Sequence, residues 1–168
     1  CGYEMNTSQI FSLILARNQS GIEASYDGLE HSETMLQLPG HSNCMNWVLG
    51  HIGVYRDALL GAISKETYMQ KSSISMYSFG SDPIVEGSPC VDLINLIEVL
   101  GKSYAVLQEC LKENPDSLEH STPDGLTVKK GETVVEHFAH LWGHESIHVG
   151  ELSALRELAL VKLGKGWK

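Results

Sequence analysis

The amino-acid sequence predicts an all-α fold, and more narrowly a four-helix bundle with long connections between helices 2 and 3 and between helices 3 and 4. Four segments carry apolar residues at helical spacing, and each of them has its own start signal. Strand signals are nearly absent, and no internal repeat is visible. A chain of 168 residues is long enough to bury one core, so we expect a single domain over residues 5–164.

The first helix is predicted to begin after Asn6, because Gln9 follows three residues later in a pairing that resembles a capping box. Apolar residues then continue at helical spacing to about Leu29. The next segment closes with Leu38-Pro39-Gly40, a sequence that interrupts helices strongly. Residues 1–4 precede Met5, and we interpret them as a leader or as residues left by cloning.

The second helix has Ser42 or Asn43 as its predicted N-cap and is expected to stop near Ser64. Residues 65–87 then form a polar connection of more than twenty residues. A connection of that length is usually functional or crosses over the fold, and this one has room for a short helix. The apolar stripe of the second helix comprises Trp47, Val48, Ile52, Tyr55, Leu59 and Ala62.

The third helix is predicted to start with Ser88 as its cap and Pro89 at its first position, and Asn114-Pro115 predicts its end. The fourth helix is predicted to begin at a capping box formed by Thr133 and Glu136 and to run to about Leu163. The expected buried face of the third helix consists of Leu93, Leu96, Ile97, Leu100, Tyr104, Leu107 and Leu111.

Composition and charge exclude several classes of function. The net charge is -9 and Lys and Arg form no cluster, which argues against nucleic acid and anionic membranes as partners. No apolar run approaches the length of a membrane span, and no signal peptide is visible. The four cysteines form no C-x-x-C pair, so we expect reduced, packed thiols in a cytoplasmic protein.

Histidines are the strongest functional signal. The chain has eight of them, and His137, His140, His144 and His148 fall on one side of the fourth helix. His144 and His148 are four residues apart, so both rings can reach one ion at about 2.1 Å. A third ligand must then come from elsewhere in the fold. The alternative is a solvated polar face that carries histidines without a ligand.

Residues 144–148 also match the H-E-x-x-H pattern, in which a zinc peptidase would use Glu145 as general base. The longer peptidase pattern would require Gly at position 151 and His at position 154, where the chain has Glu151 and Ala154. A peptidase is therefore disfavoured. Glu145 points near the centre of the apolar face, where an unpaired carboxylate is costly. We expect it to pair with a histidine or metal-bound water, the alternative being a locally rotated, exposed carboxylate.

Residues 43–52 are predicted to form an apolar helix that closes on Gly50-His51-Ile52, and residues 144–152 contain a histidine pair followed by glycine. These two segments resemble the signatures of the DinB/YfiT-like family of metal-dependent bundles. The pair Leu155-Arg156 fits as well, and residues 39–42 and 77–84 are lesser matches. The resemblance covers nearly the whole chain. The departure is Glu151, where the family usually has glutamine.

The resemblance implies one divalent ion, zinc or nickel, bound by His51, His144 and His148 near one end of a four-helix bundle. It also implies a homodimer. His140 matches no ligand position and is read as lining an access channel or as surface, and His137 is expected at the surface. Trp47 and Tyr55 are expected to pack around His51. The remaining histidines lie in polar connections, where solvation is expected; they are His31, His41 and His120.

Three neutral imidazoles with an open coordination position are typical of a catalytic metal rather than a structural one. By resemblance, the leading hypothesis is a thiol-dependent S-transferase or a hydrolase that acts on a small molecule, with a low-molecular-weight thiol as candidate partner. Glu145 is the candidate proton acceptor. A second hypothesis is a non-catalytic protein of the stress response that binds metal or a small ligand, and a third is a vestigial bundle without metal.

Overall fold

The structure is a computed structural model that describes residues 5–40, 42–113 and 133–165. These residues contain α-helices and a short 3-10 helix, His31–Met35, but no β-strand, which confirms the all-α class. None of the described helices is long and apolar enough to cross a membrane. The α-helices are α1 (Thr7–Tyr26), α2 (Met45–Ala62), α3 (Lys71–Tyr77), α4 (Leu93–Glu113) and α5 (Val134–Lys162).

The two predicted capping boxes are present. The Asn6 side chain accepts a hydrogen bond from the Gln9 backbone N–H at 2.9 Å, and the Gln9 side chain accepts one from the Asn6 N–H at 3.0 Å. Thr133 and Glu136 form the same reciprocal pair at the start of α5. Helix α1 ends at Tyr26 rather than near Leu29, because Gly28 adopts a φ of 71° that a helix cannot continue through.

The predicted starts of the second and third helices were wrong; these helices correspond to α2 and α4 of the structure. Helix α2 has Cys44 at its N-cap position, without a side-chain capping bond, and the Ser42 hydroxyl donates to the Leu38 carbonyl. Helix α4 begins at Leu93, four residues after the predicted Pro89. The Ser88 hydroxyl instead accepts from the Val85 N–H within a turn.

The residues just before α4 are held by distant partners. The Tyr77 hydroxyl accepts a hydrogen bond from the Val91 N–H at 2.8 Å, and the Val91 carbonyl accepts one from the Asn46 side chain at 2.9 Å. The His31 ring accepts from the Leu93 N–H at 3.1 Å and so caps the helix. These tertiary bonds keep the segment extended, where a local pattern alone predicts helix.

The connection after α2 contains the short helix for which its length leaves room, α3. The parts of the connection before and after α3 both form hydrogen bonds with α2. The buried Asp57 carboxylate accepts hydrogen bonds from the backbone N–H groups of Tyr68 and Met69, and the Trp47 indole donates to the Ser81 hydroxyl at 2.9 Å. The connection therefore lies against α2, beside the segment of that helix that carries His51.

The four long helices pack against one another, with α1 and α2 each contacting both α4 and α5. Their apolar side chains form two separate clusters. One surrounds Trp47, Ile52 and Leu100, and the other surrounds Leu59, Phe138 and Trp142. A polar layer occupies the sequence positions between the two clusters on all four helices: Asn18, Gln19, Arg56, Ser103 and Glu145.

Arg56 joins the members of this layer. Its guanidinium donates to both oxygens of Glu145, at 2.8 and 3.0 Å, and to the Gln19 side chain at 2.7 Å. A further bond reaches the Leu100 carbonyl at 3.0 Å. One side chain of α2 therefore bonds to α1, α4 and α5.

Some sequence predictions lie outside the described residues. They concern residues 1–4, the end of the third helix at Asn114-Pro115, the connection up to residue 132, and the histidines His41 and His120.

Candidate metal centre

Helices α2 and α5 bring His51, His144 and His148 together. One ring nitrogen of each residue lies within 4.8 Å of the others, and within the described residues no other group of three potential ligands does so. The Nε2 atoms of His144 and His148 are 3.2 Å apart. Two nitrogens on one tetrahedral zinc ion at 2.0–2.1 Å would lie roughly 3.3–3.4 Å apart. The pair on α5 is thus already close to the spacing of two ligands of one ion.

His51 is held from the side opposite its free nitrogen. Its Nδ1 lies 2.6 Å from the Tyr77 carbonyl oxygen, which can only accept, so Nδ1 carries the hydrogen. In the neutral ring Nε2 then has a lone pair. Metal-bound histidines usually donate their second N–H to a carbonyl or carboxylate in this way.

Aromatic rings enclose the cluster, as expected for Trp47 and Tyr55. The Trp47 ring stacks on His51, with centroids 4.4 Å apart and an interplanar angle of 18°. The Tyr55 ring contacts both His51 and His144, at 4.5 and 4.9 Å. His51 is 1% exposed, whereas His144 and His148 are half-buried. The cluster therefore has a closed side at His51 and a solvent side on α5.

The surroundings favour the neutral forms of His51 and His144. Burial lowers the pKa of His51 from its ordinary value of 6.5 to about 4, and His148 and His144 act in the same direction. Burial also lowers the pKa of His144, as does the neighbouring His148. Neutral imidazole is the form that binds a cation. The three residues thus fit a divalent ion in donor type and spacing, and His51 also fits it in tautomer and protonation state.

His148 has a carboxylate as its second partner. Its Nδ1 lies 2.9 Å from Oε2 of Glu151, one turn further along α5. In the neutral ring this contact again assigns the hydrogen to Nδ1, because a carboxylate can only accept. Two of the three histidines therefore have their Nδ1–H engaged and their Nε2 available.

Glu145 requires a correction. We expected its carboxylate to face a histidine or metal-bound water, or else to be exposed, but it is 5% exposed and both oxygens bond to Arg56. The missed signal was Arg56, a cation on the face of α2 turned towards α5. Both oxygens of this carboxylate are therefore occupied by the guanidinium.

The neighbouring histidines are placed differently from one another. His140 is exposed, in agreement with its surface reading. His137 was expected at the surface, but it is 1% exposed. Helical spacing puts His137 at the edge of the apolar stripe of α5, and the packing of this helix turns that edge inwards. His31 is only partly solvated, because its ring caps α4 and lies 3.6 Å from the Cys90 sulfur.

Tyr77 is a site residue that the sequence did not single out. Its side chain is fully buried, and its hydroxyl donates to the Asn46 side chain at 2.9 Å. Burial raises the pKa of Tyr77 to about 12, so the hydroxyl keeps its proton. The ring lies directly on Gly50, where an added Cβ would be 2.3 Å from a ring carbon. Gly50 thus permits the close approach that places the Tyr77 carbonyl on His51.

Replacing Gly50 with alanine is expected to destabilise the protein by about 1–3 kcal/mol, because the buried Tyr77 ring must move. Metal affinity is expected to fall as well, since the Tyr77 carbonyl moves with the ring. Urea unfolding and chelator competition measure the two effects. Gly101→Ala is the matched control: its Cβ meets nothing within 4 Å, so a helical alanine should be neutral or stabilising. Equal behaviour of the two variants would contradict the role of Gly50.

Comparison with known proteins supports the all-helical fold and gives no information on function. No protein-family model and no curated protein matches the chain. A crystal structure described as the conserved protein of a locus from Enterococcus faecalis is similar, with a TM-score of 0.67 and 15% identity. The match covers 94% of this chain and 99% of that one. At this identity the likeness shows a shared all-helical fold, and the DinB/YfiT-like family stays a prediction.

Proposed function

We propose that the chain is a metal-binding four-helix bundle of the DinB/YfiT-like type, with one divalent ion held by His51, His144 and His148. The pairing of the four long helices supports the bundle, since each packs against two others in a closed cycle. The three imidazoles support the ion. Zinc and nickel are the expected metals, because both accept imidazole nitrogen.

The observation that carries this proposal is the convergence of three imidazoles with one nitrogen of each within 4.8 Å of the others. Without a cation, the two Nε2 lone pairs 3.2 Å apart would repel each other unless one nitrogen carried a hydrogen. A solvated polar face would not enclose such a group between two helices. The stacked Trp47 ring and the bond to Tyr77 hold His51 in place for binding.

The proposed activity is a thiol-dependent S-transfer or a hydrolysis of a small molecule. A divalent ion held by His51, His144 and His148 would lower the pKa of a bound thiol or water. The chain's own residues would orient the reactants: Trp47 and Tyr55 close one side, so a small molecule would reach the cluster from the solvent side of α5. The Glu145 carboxylate is bonded to the Arg56 guanidinium, so we propose no proton-transfer role for Glu145.

A second candidate is non-catalytic binding of metal or a small ligand. One observation favours it: both carboxylates next to the cluster are already bonded, Glu145 to Arg56 and Glu151 to His148. A reaction would therefore need its proton acceptor from the reactants or from solvent. Turnover by the metal-loaded protein separates the two candidates.

The first test is elemental analysis of protein reconstituted with zinc or nickel. Wild type is expected to hold one ion per chain. His51→Ala, His144→Ala and His148→Ala should each lose affinity beyond the roughly 10–100-fold typical of losing an outer partner. The exposed His140→Ala is the control and should bind normally. Wild-type metal content in all three ligand variants would show that the site assignment is wrong.

The second test measures conjugation of low-molecular-weight thiols to a chlorinated aromatic substrate by metal-loaded wild type. Turnover that disappears in His51→Ala but persists in His140→Ala supports the transferase. Full metal occupancy without turnover of any thiol or ester substrate supports the binding protein.

A further inference from the structure

Glu151 lies three residues after His148 on α5, at a spacing that places two side chains next to each other on a helix. Its Oε2 accepts a hydrogen bond from Nδ1 of His148 at 2.9 Å. The other nitrogen of that ring, Nε2, faces His144 at 3.2 Å. Of the two neutral tautomers of His148, the contact with Glu151 therefore selects the one whose lone pair is turned towards the cluster.

The charge of Glu151 is placed differently from that of Glu145. Glu145 is neutralised by Arg56, which bonds to both of its oxygens. The Glu151 side chain is 31% exposed and that of His148 is 14% exposed, so this pair is partly withdrawn from water. A partly desolvated carboxylate beside three imidazoles favours a cation among them, because electrostatic attraction is stronger where water is excluded.

His51 and His148 differ in their outer partners: the first has a neutral backbone carbonyl, and the second has a carboxylate. Glu151 is thus the partner that adds charge as well as orientation.

We infer that Glu151 is a positioning residue of the metal centre, which holds Nε2 of His148 towards the ion and offsets part of the ion's charge. The inference rests on the proposed metal function. An outer carboxylate partner of a ligating histidine is typically worth 10–100-fold in metal affinity. Orientation and charge can be separated, because glutamine keeps an acceptor oxygen at this position and removes the charge.

The test compares zinc affinity, by competition with a chromogenic chelator, in wild type, Glu151→Gln, Glu151→Ala and Glu157→Gln. Glu157 is an exposed carboxylate on the same helix, so its variant is the control for charge alone. Glu151→Ala is expected to bind zinc about 10–100-fold more weakly than wild type. The zinc affinity of Glu151→Gln should lie between those of wild type and Glu151→Ala. Glu157→Gln should bind zinc as tightly as wild type.

A readout without metal distinguishes positioning from a general loss of structure. In metal-free wild type, ¹⁵N NMR of the His148 ring should show hydrogen on Nδ1, and Glu151→Ala should shift the ring towards a mixture of both tautomers. Circular dichroism should be the same in both proteins. An unchanged tautomer together with wild-type affinity in Glu151→Ala would overturn the inference, and wild-type affinity in Glu151→Gln would overturn the role of charge.

The inference and the proposed function fail in different ways. If wild type binds no divalent ion, both are overturned. If wild type binds zinc through the three histidines and both Glu151 variants bind it equally well, only the role of Glu151 is overturned.

Discussion

Replacing Arg56 with methionine is expected to lower the free energy of unfolding by about 3–5 kcal/mol, because it leaves Glu145 buried and without its partner. Arg56 is 1% exposed and Glu145 is 5% exposed, so solvent cannot replace the lost bonds. The Gln19 side chain and the Leu100 carbonyl also lose their donor. Domains of this size have total stabilities of roughly 5–15 kcal/mol, so the expected loss is a large part of the whole.

Urea unfolding of the metal-free protein measures this effect. Glu145→Met alone is expected to be similarly harmful, because it leaves the Arg56 guanidinium buried and unpaired. The double variant Arg56→Met/Glu145→Met should be more stable than the sum of the two losses, since it removes both charges together. If the two losses simply add, the pair is not the coupled unit that its geometry indicates.

A surface ion pair on α4 offers a matched control. Lys102 and Glu98 form a bond of 2.7 Å, but both side chains are more than half exposed. Lys102→Met should change stability by less than about 1 kcal/mol, as exposed pairs usually do. A loss as large as that of Arg56→Met would mean that burial is not what makes the Arg56 pair important.

The pair also affects the metal centre, because Glu145 directly follows His144 on α5. The bonds between Arg56 and Glu145 join α2, which carries His51, to α5, which carries the other two histidines. A folded Arg56 variant is therefore expected to bind zinc more weakly than wild type. The residue would act through the relative placement of the two helices, without touching the ion.

Metal-free protein is expected to lose about 3 kcal/mol of stability through His51 alone as the pH falls from 6.5 to 4. The folded state keeps His51 neutral, since burial lowers its pKa to about 4. The unfolded chain takes up a proton on this residue near the ordinary value of 6.5. Between these two values the unfolded state binds more protons, so stability decreases with decreasing pH. Below about pH 4 this contribution levels off, as His51 becomes protonated in the folded state too.

Urea unfolding at pH 7 and pH 4 in the presence of a chelator tests this expectation. His51→Gln should show a smaller difference between the two pH values than wild type does, although it is less stable at pH 7. His140→Gln is the control, because His140 is exposed and should leave the difference unchanged. Equal differences in wild type and His51→Gln would show that His51 titrates alike in the folded and unfolded chains.

Local sequence patterns were sufficient where the deciding partners are near in the chain. The capping boxes at Asn6 and Thr133 could be predicted because each pairs residues three apart. The pairing of His144 with His148 is likewise a property of helix geometry. His51 could be predicted as a metal ligand only from the family resemblance, since no sequence periodicity relates residues of α2 to residues of α5.

Sequence patterns were enough to predict the all-α class, the helix starts that capping boxes define, and a histidine pair on one side of α5. Which group lies opposite each buried polar side chain depends on how the helices pack. Packing places Arg56 on Glu145, the Tyr77 carbonyl on His51 and the Tyr77 hydroxyl on the residues before α4. These pairs do not follow from local patterns, because the partner of a buried polar group can belong to any segment that packing brings within about 3 Å.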